Sequence, residues 1–373
     1  MKICFLSDGI AEHTRRWVKF FTHQGHQVDL ITFNPKVLDN YEPVCLHIIE
    51  KPFSKKNIFS RISNLPFVIR AVKKIINTVN PDLVHAHSAT SYAWATMLTG
   101  FHPYIVTPWG TDILIDMKKS IWNRFITKMV LNRANLITTD AYHVKDKMIG
   151  YGIEPEKIKI LMFGFNFNRL KYDSDSWLDE LKEKYYLGNS SLVISTRTLN
   201  PIHDVKTFIK AIPIIDKMVT NVKYICLTDG SDRKVLVELT ESLGMSNKVI
   251  FPGYVSEDVM MRWLMISDVY VSTSLADAGL SGSTAEAMAC GLPVVSTTDN
   301  SDNHMWIEEG RGGFLTHNGD FNAISKRVIQ LLRSEDMRKT FGKYNRKVIE
   351  ERNNYDKEMQ KMENIYKNLV ENK

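Results

Sequence analysis

The sequence predicts an α/β protein of two doubly wound, parallel-sheet domains. Three observations predict it. The 373 residues exceed what one hydrophobic core usually organises. Short apolar runs alternate with helical stretches along the chain, the rhythm of a parallel sheet with helices on both faces. That rhythm breaks once, between about 166 and 190, where "NFNRLKYDSDSWLDELKEKYYLGNS" turns polar.

The elements follow in order. "KICFLS" leads to the helix "EHTRRWVKFFTHQ", which Gly25 is placed to stop, and then to "QVDLITF". "DLVHAHS", helix 90–99, "YIVTPWG", helix 118–132, "NLITTD", helix 141–150 and "IKILMFG" continue the first series. The second runs "SLVISTRTL", helix 204–216, "KYICLTDG", helix 232–243, "KVIFPGYV", helix 256–265, "DVYVSTS", then "LADAGLSGSTAEAMACGLPVV" and "GFLTHN". The tail 336–373 reads as a helical, charge-rich segment whose last turns carry a stripe of Met362, Ile365, Tyr366 and Leu369 that must dock on something. The expected domains are 1–168 and 169–353, with a helix at about 354–373 returning to the first. In such sheets ligands bind beyond the carboxyl ends of the strands, so two facing domains predict a cleft between them.

Composition narrows the function classes. The chain is 44% hydrophobic and 24% charged, and no apolar run reaches a membrane-spanning length. "MKICFLSDG" turns polar too soon for a signal peptide, which predicts a cytoplasmic location. Cys4, Cys45, Cys226 and Cys290 form no CxxC pair and are expected to be buried free thiols. The net charge of +6 is uneven: residues 1–165 hold 21 Lys+Arg against 13 Asp+Glu. Cations concentrate in 51–74 and 117–133, interleaved with Phe53, Phe59, Trp122 and Phe125. Such a face is either a solvated helix surface over buried aromatics or a peripheral contact with anionic lipid. No nucleic-acid module accompanies the charge.

Several strand ends hold chemistry-bearing residues. "LSDGIAEH" has the single glycine Gly9, not GxGxxG, and no GxxxxGK[ST] occurs, which disfavours a dinucleotide enzyme or a P-loop. His13 in the same segment either faces the cleft or serves the helix start. His85 and His87 point to one side if their strand continues, whereas a turn after Ala86 would release His87; no third ligand is spaced for a metal. "TPWGTDI" places Asp112 either as a helix cap or, with Trp109, on the rim near His87. Arg197 ends the first strand of the second series, where its fork suits a phosphate, and His203 follows in its loop. "TDGSD" contributes a strand-end turn at Gly230. In "LSGSTAEAMAC" the small residues Gly282, Ser283 and Thr284 open a helix whose unpaired amides favour an anion, and Glu286 follows within reach of a sugar hydroxyl. A plain reading, with Ser283 or Thr284 as cap and the alanines packed on the sheet, explains the alanines but not the Gly-Leu-Ser-Gly-Ser loop.

Taken together, "HAH" (85–87), "GTD" (110–112), the Arg197 loop, "DG" (229–230), "FPGYV" and above all "STAEAMACGLPVV" resemble the group-1 (GT4-like) retaining glycosyltransferases of the GT-B fold, over nearly the whole chain. The resemblance implies a nucleotide-diphosphate sugar, UDP-sugar favoured, held by the second domain. It implies a glycan or lipid-linked acceptor hydroxyl presented by the first, and a departing diphosphate met by Arg197 and the Ser283–Thr284 helix start without a metal or other cofactor. Glu286 corresponds to the ribose-binding second glutamate of the family's E-x7-E pattern, His87 to the histidine near the transferred sugar, and Asp112 to the acid beside it. Three positions depart. Ala278 stands where the first acid belongs, and Asp277 beside it is expected to serve. His203 stands where a phosphate-binding lysine is usual, to act when protonated or as a neutral donor. "FGFN" (163–166) replaces the hinge signature but keeps Gly164. The Asp173-x-Asp175 pair lies in the polar linker, where capping explains it. The alternatives are a nucleotide-sugar epimerase or hydrolase on the same scaffold, or a degenerate homologue that only binds the sugar nucleotide.

Overall fold

A computed structural model describes residues 1–35, 44–49, 58–171, 176–275, 277, 279–299 and 302–372, side chains excepted at 12, 58–64 and 176. Phe53, the side chain of Phe59, the Asp173-x-Asp175 pair and Ala278 therefore lie outside what is described. The chain divides into two compact units, 1–163 with 356–373, and 164–355.

The first unit is a seven-stranded parallel sheet in the order β3-β2-β1-β4-β5-β6-β7. Its elements are β1 (Lys2–Leu6), α1 (Glu12–His23), β2 (Gln27–Thr32), β3 (Cys45–Ile48), α2 (Ile58–Val79), β4 (Leu83–His87), α3 (Tyr92–Thr99), β5 (Tyr104–Thr107), α4 (Met117–Lys119), α5 (Ile121–Arg133), β6 (Leu136–Thr139), α6 (Tyr142–Gly150) and β7 (Ile158–Ile160). The central strands are buried on both faces, as parallel strands between helix layers must be, with Ile3, Phe5, Leu30, Val84, Ile105 and Ile137 fully enclosed.

Two expectations change here. The helix expected over 118–132 is broken: a π-helical turn, Asp112–Asp116, runs into α4, and Ser120 leaves the helix to accept the amide of Asn123 at 3.0 Å and start α5. Cys45 is exposed, because it opens the short edge strand β3, while Cys4 and Cys226 are buried and Cys290 is partly covered.

The second unit holds α7 (Ser176–Lys184), β8 (Ser191–Ser195), α8 (Val205–Met218), β9 (Val222–Leu227), α9 (Arg233–Ser242), β10 (Val249–Gly253), α10 (Glu257–Ile266), β11 (Val269–Ser272), α11 (Gly282–Ala289), β12 (Val294–Thr297), β13 (Gly313–Thr316), α12 (Phe321–Leu332) and α13 (Glu335–Arg352). Its parallel sheet runs β10-β9-β8-β11-β12-β13. Val193, Val222, Tyr224, Val269 and Val271 pack with Phe208, Ile212 and Val328 from α8 and α12 into one core. Side-chain oxygens start the helices where the sequence offers them: Ser256, Ser281, Asp320 and Ser334 each accept the amide three residues on.

The tail is two helices. Asn353 Oδ1 accepts the Gly164 amide at 2.9 Å, and Phe165 and Asn354 form a β-bridge, so the backbone leaves the helix there. Gly164, at φ +73°, is required: a β-carbon would stand 2.3 Å from Tyr355 Cα. The last helix, α14 (Tyr355–Glu371), belongs with the first unit from Asp356 onward. Its Met359, Met362 and Tyr366 are fully buried, Tyr366 stacking on Phe21 at 4.7 Å.

Candidate functional site

In each sheet the strand order reverses at one place, between β1 and β4 and between β8 and β11. There the connections leave in opposite directions and open a crevice at the carboxyl ends. The sequence-predicted residues gather at these two places, each within its own unit.

In the second unit Arg197 lies two residues beyond β8, 7% exposed. Its Nη1 donates to Ser283 Oγ at 3.0 Å, and its Nη2 reaches Ser274 Oγ at 3.2 Å, His203 Nδ1 at 2.8 Å and the carboxylate of Asp277. Four segments, the β8 loop, the 3₁₀ turn Pro201–His203, the loop after β11 and the start of α11, thus converge on one guanidinium. Ser281 caps α11 by accepting the Thr284 amide at 3.3 Å, not Ser283 or Thr284 as the packing explanation required. The first-turn amides of Gly282 and Ser283 have no intrahelical acceptor. Gly282 is exposed, and a β-carbon on it would meet no atom of the described residues within 4 Å, which leaves the helix start open to a ligand on that side.

His203 is a neutral group here. Burial, reinforced by the Arg197 charge and opposed by Asp277, lowers its pKa to about 4. Since Nδ1 accepts from the arginine, the ring hydrogen sits on Nε2, and the protonated form expected as one option does not apply near neutral pH. Asp277 is 8% exposed; its Oδ1 takes Arg197 and the Ser274 hydroxyl at 3.0 Å, and its Oδ2 is buried without a partner among the described residues. The acid expected on the sugar thus lies on the guanidinium expected to hold phosphate. Gly230 supports the same loop from β9: a β-carbon there would stand 2.3 Å from Leu199 O.

Further along α11, Glu286 Oε1 accepts from Arg169 Nη1 at 3.0 Å, and Arg169 Nη2 meets Glu257 on α10. Sequence reasoning missed Arg169, which stood in a stretch read only as polar linker, 117 residues from its partner. It also missed Ser274, whose only signal was a small hydroxyl at a strand end.

In the first unit β4 continues through His87, and both histidines are buried on one face, rings 4.8 Å apart. The turn that would release His87 does not occur. His85 is taken up by Tyr366 and by Thr107 Oγ1 at 2.7 Å. His87 Nδ1 meets Ser7 Oγ at 3.1 Å, and its Nε2 is buried without a hydrogen-bond partner among the described residues. Burial, with a contribution from nearby His13, lowers the His87 pKa to about 3, so it is neutral. Asp112 is 3% exposed and makes no helix cap. It accepts the amides of Ala89 at 2.9 Å and Trp109 at 3.0 Å and the hydroxyls of Ser88 and Thr90, tying the loops after β4 and β5 together. Gly9 donates its amide to Thr32 Oγ1 at 3.1 Å. His13 stacks on Phe163 at 4.2 Å and is exposed.

Residues 2–141 match the family model "Glycosyl transferase 4-like" and residues 179–348 match "Glycosyl transferases group 1". The chain is 24% identical to N-acetyl-alpha-D-glucosaminyl L-malate synthase of Bacillus anthracis over 94% of its own length and 92% of that protein. It is 26% identical to the capsular polysaccharide biosynthesis glycosyltransferase CapM of Staphylococcus aureus, over 95% and 93%. Among solved structures, Anabaena HepE in complex with UDP superposes with a TM-score of 0.81 at 20% identity, covering 99% of this chain and all of that one. At that identity the likeness is one of fold.

Proposed function

The chain belongs to the group-1 glycosyltransferases, and from that premise we propose that it moves a hexosyl unit from a UDP-sugar to a hydroxyl of a glycan or lipid-linked acceptor, retaining the anomeric configuration, without a metal. The observation that carries this reading is the convergence of a buried guanidinium, Arg197, with the open start of α11 at Ser283. In the proposed reaction the bond from the anomeric carbon to the phosphate oxygen breaks, the acceptor oxygen takes that carbon from the same face, and the acceptor's hydroxyl proton passes to the departing phosphate oxygen. The negative charge left on the diphosphate is met by Arg197, the Ser283 hydroxyl, the first amides of α11 and the Nε2–H of neutral His203. These groups are already fixed by their neighbours, so little reorganisation is needed as charge develops.

In this reading Glu286, steadied by Arg169, takes the ribose hydroxyls. His87 and Asp112 act on the acceptor side: the buried Nε2 of His87 has no hydrogen-bond partner among the described residues, and Asp112 ties the loops after β4 and β5 together. The HepE complexes with UDP and UDP-glucose support uracil as the base, and CapM, named for capsular polysaccharide biosynthesis, supports a glycan product.

A thermal-shift panel of UDP-, GDP- and ADP-sugars tests it. A donor at ~100 times its Kd stabilises the folded state by about 2.7 kcal/mol, and UDP-sugars should give the largest shift, unchanged by a chelator. No shift with any nucleotide sugar overturns the proposal. Isomerised donor in place of a glycosylated product would favour the epimerase.

A further inference from the structure

The described helices include none long and apolar enough to cross a membrane, yet the first unit shows an apolar cluster that folding leaves uncovered. On α5, Thr127, Val130 and Leu131 face inward, while Ile121 is 77% exposed, Trp122 70% and Phe125 60%; Ile115, just ahead, is 52% exposed. Residues 121, 122 and 125 fall on one side of a helix by their three- and four-residue spacing. Scattered apolar side chains at a surface are ordinary, but adjoining large ones, two of them aromatic, are not.

The cluster is ringed by cations. Residues 113–133 contain five Lys+Arg and one acid, Asp116, which pairs with Lys119 at 2.5 Å. Lys118 and Lys119 precede the cluster, and Lys128 follows one turn on, exposed. Arg124 is braced by the Met117 carbonyl at 3.4 Å and lies over the Tyr151 ring. The core of a protein–protein interface is depleted in lysine, whereas a bilayer interface takes aromatic rings at the headgroup level and cations against anionic phosphate.

We infer that the α4–α5 face docks the enzyme on an anionic phospholipid surface, with Ile121, Trp122 and Phe125 entering the headgroup layer and Lys118, Lys119 and Lys128 on the phosphates. The inference deepens the proposed function, resting on it for a lipid-linked acceptor that this face brings within reach. Of the two basic stretches, 117–133 presents its aromatics, whereas in 51–74 residues 51–57 and the side chains of 58–64 lie outside what is described.

The test is sedimentation of the full chain with phosphatidylcholine vesicles, with and without phosphatidylglycerol. Binding should require phosphatidylglycerol. Trp122→Ser and Phe125→Ser should each weaken it roughly tenfold, and Lys118→Gln and Lys119→Gln roughly fivefold each. Equal binding to neutral vesicles, full binding by Trp122→Ser/Phe125→Ser, or a dimer of the wild type that this double variant abolishes would overturn the inference. Calorimetry with UDP on the same variants separates the two readings. Wild type that binds UDP but no vesicle loses only the membrane face; wild type that binds vesicles but no sugar nucleotide loses only the donor site.

Discussion

Replacing Arg197 with methionine removes the cation that four segments share. Among the described residues Asp277, 8% exposed and with Oδ2 already unpartnered, would keep only the Ser274 hydroxyl. Stripping one member from a buried ion pair costs about 3–5 kcal/mol. Each kcal/mol lowers Tm by about 2–4 °C in a unit of this size, so the variant should melt roughly 6–20 °C early. Removing the orphaned acid as well, in Arg197→Met/Asp277→Ala, should restore most of that loss. UDP binding should behave differently. Losing charge-assisted hydrogen bonds costs about 1.5–3 kcal/mol, or roughly 10- to 150-fold in Kd, in both the single and the double variant. Asp277→Ala alone should tighten UDP binding, because it removes an anion that competes for the same guanidinium. Differential scanning fluorimetry and calorimetry with UDP read the two quantities separately. A single variant that melts with the wild type, or a double variant that binds UDP normally, refutes the reasoning.

Three further outcomes follow from the geometry. Gly230→Ala sets a β-carbon 2.3 Å from Leu199 O and should destabilise by about 1–3 kcal/mol in urea titration, displacing the loop that holds Arg197. His203 and His87 have folded pKa values of about 4 and 3, below the ordinary 6.5, so the unfolded chain binds more protons. Stability should therefore be full above pH 6.5 and decline as pH falls; His203→Gln should remove the part of the decline ending near pH 4 and leave the part ending near pH 3. Glu286→Gln should raise the KM for donor roughly tenfold or more, and Arg169→Met should raise it less, since it acts only by steadying the carboxylate. Steady-state kinetics with varied UDP-sugar checks both, and an effect on kcat alone would contradict the ribose assignment.

The alternation of apolar runs with helices was enough to read the two sheets, because buried parallel strands are continuous apolar segments. It missed β3, a four-residue edge strand whose residues are partly exposed and leave no such run. Arg197, His203 and the start of α11 were readable because strand ends and helix starts are local features. What was not readable depended on distant approach: Arg169 on Glu286 spans 117 residues, and Asp277 on Arg197 spans 80. Asp112 shows the same limit. Its identity suited a helix cap, but the amides of Ala89 and Trp109 reach it first.

The return of α14 to the first unit has a consequence for biosynthesis. Tyr366 fills space between Phe21 and His85, Glu363 meets His26 at 3.1 Å, and Glu358 accepts the Met162 amide at 2.9 Å. Residues 1–163 leave the ribosome first, yet they stay incomplete until 356–373 emerge. At the usual pace of translation that wait is roughly 10–40 s. The intervening unit is continuous in sequence and closes its own core meanwhile. The half of the protein made first is thus finished last, and in the interval the apolar groove beneath Tyr366 is a surface for chaperones to cover.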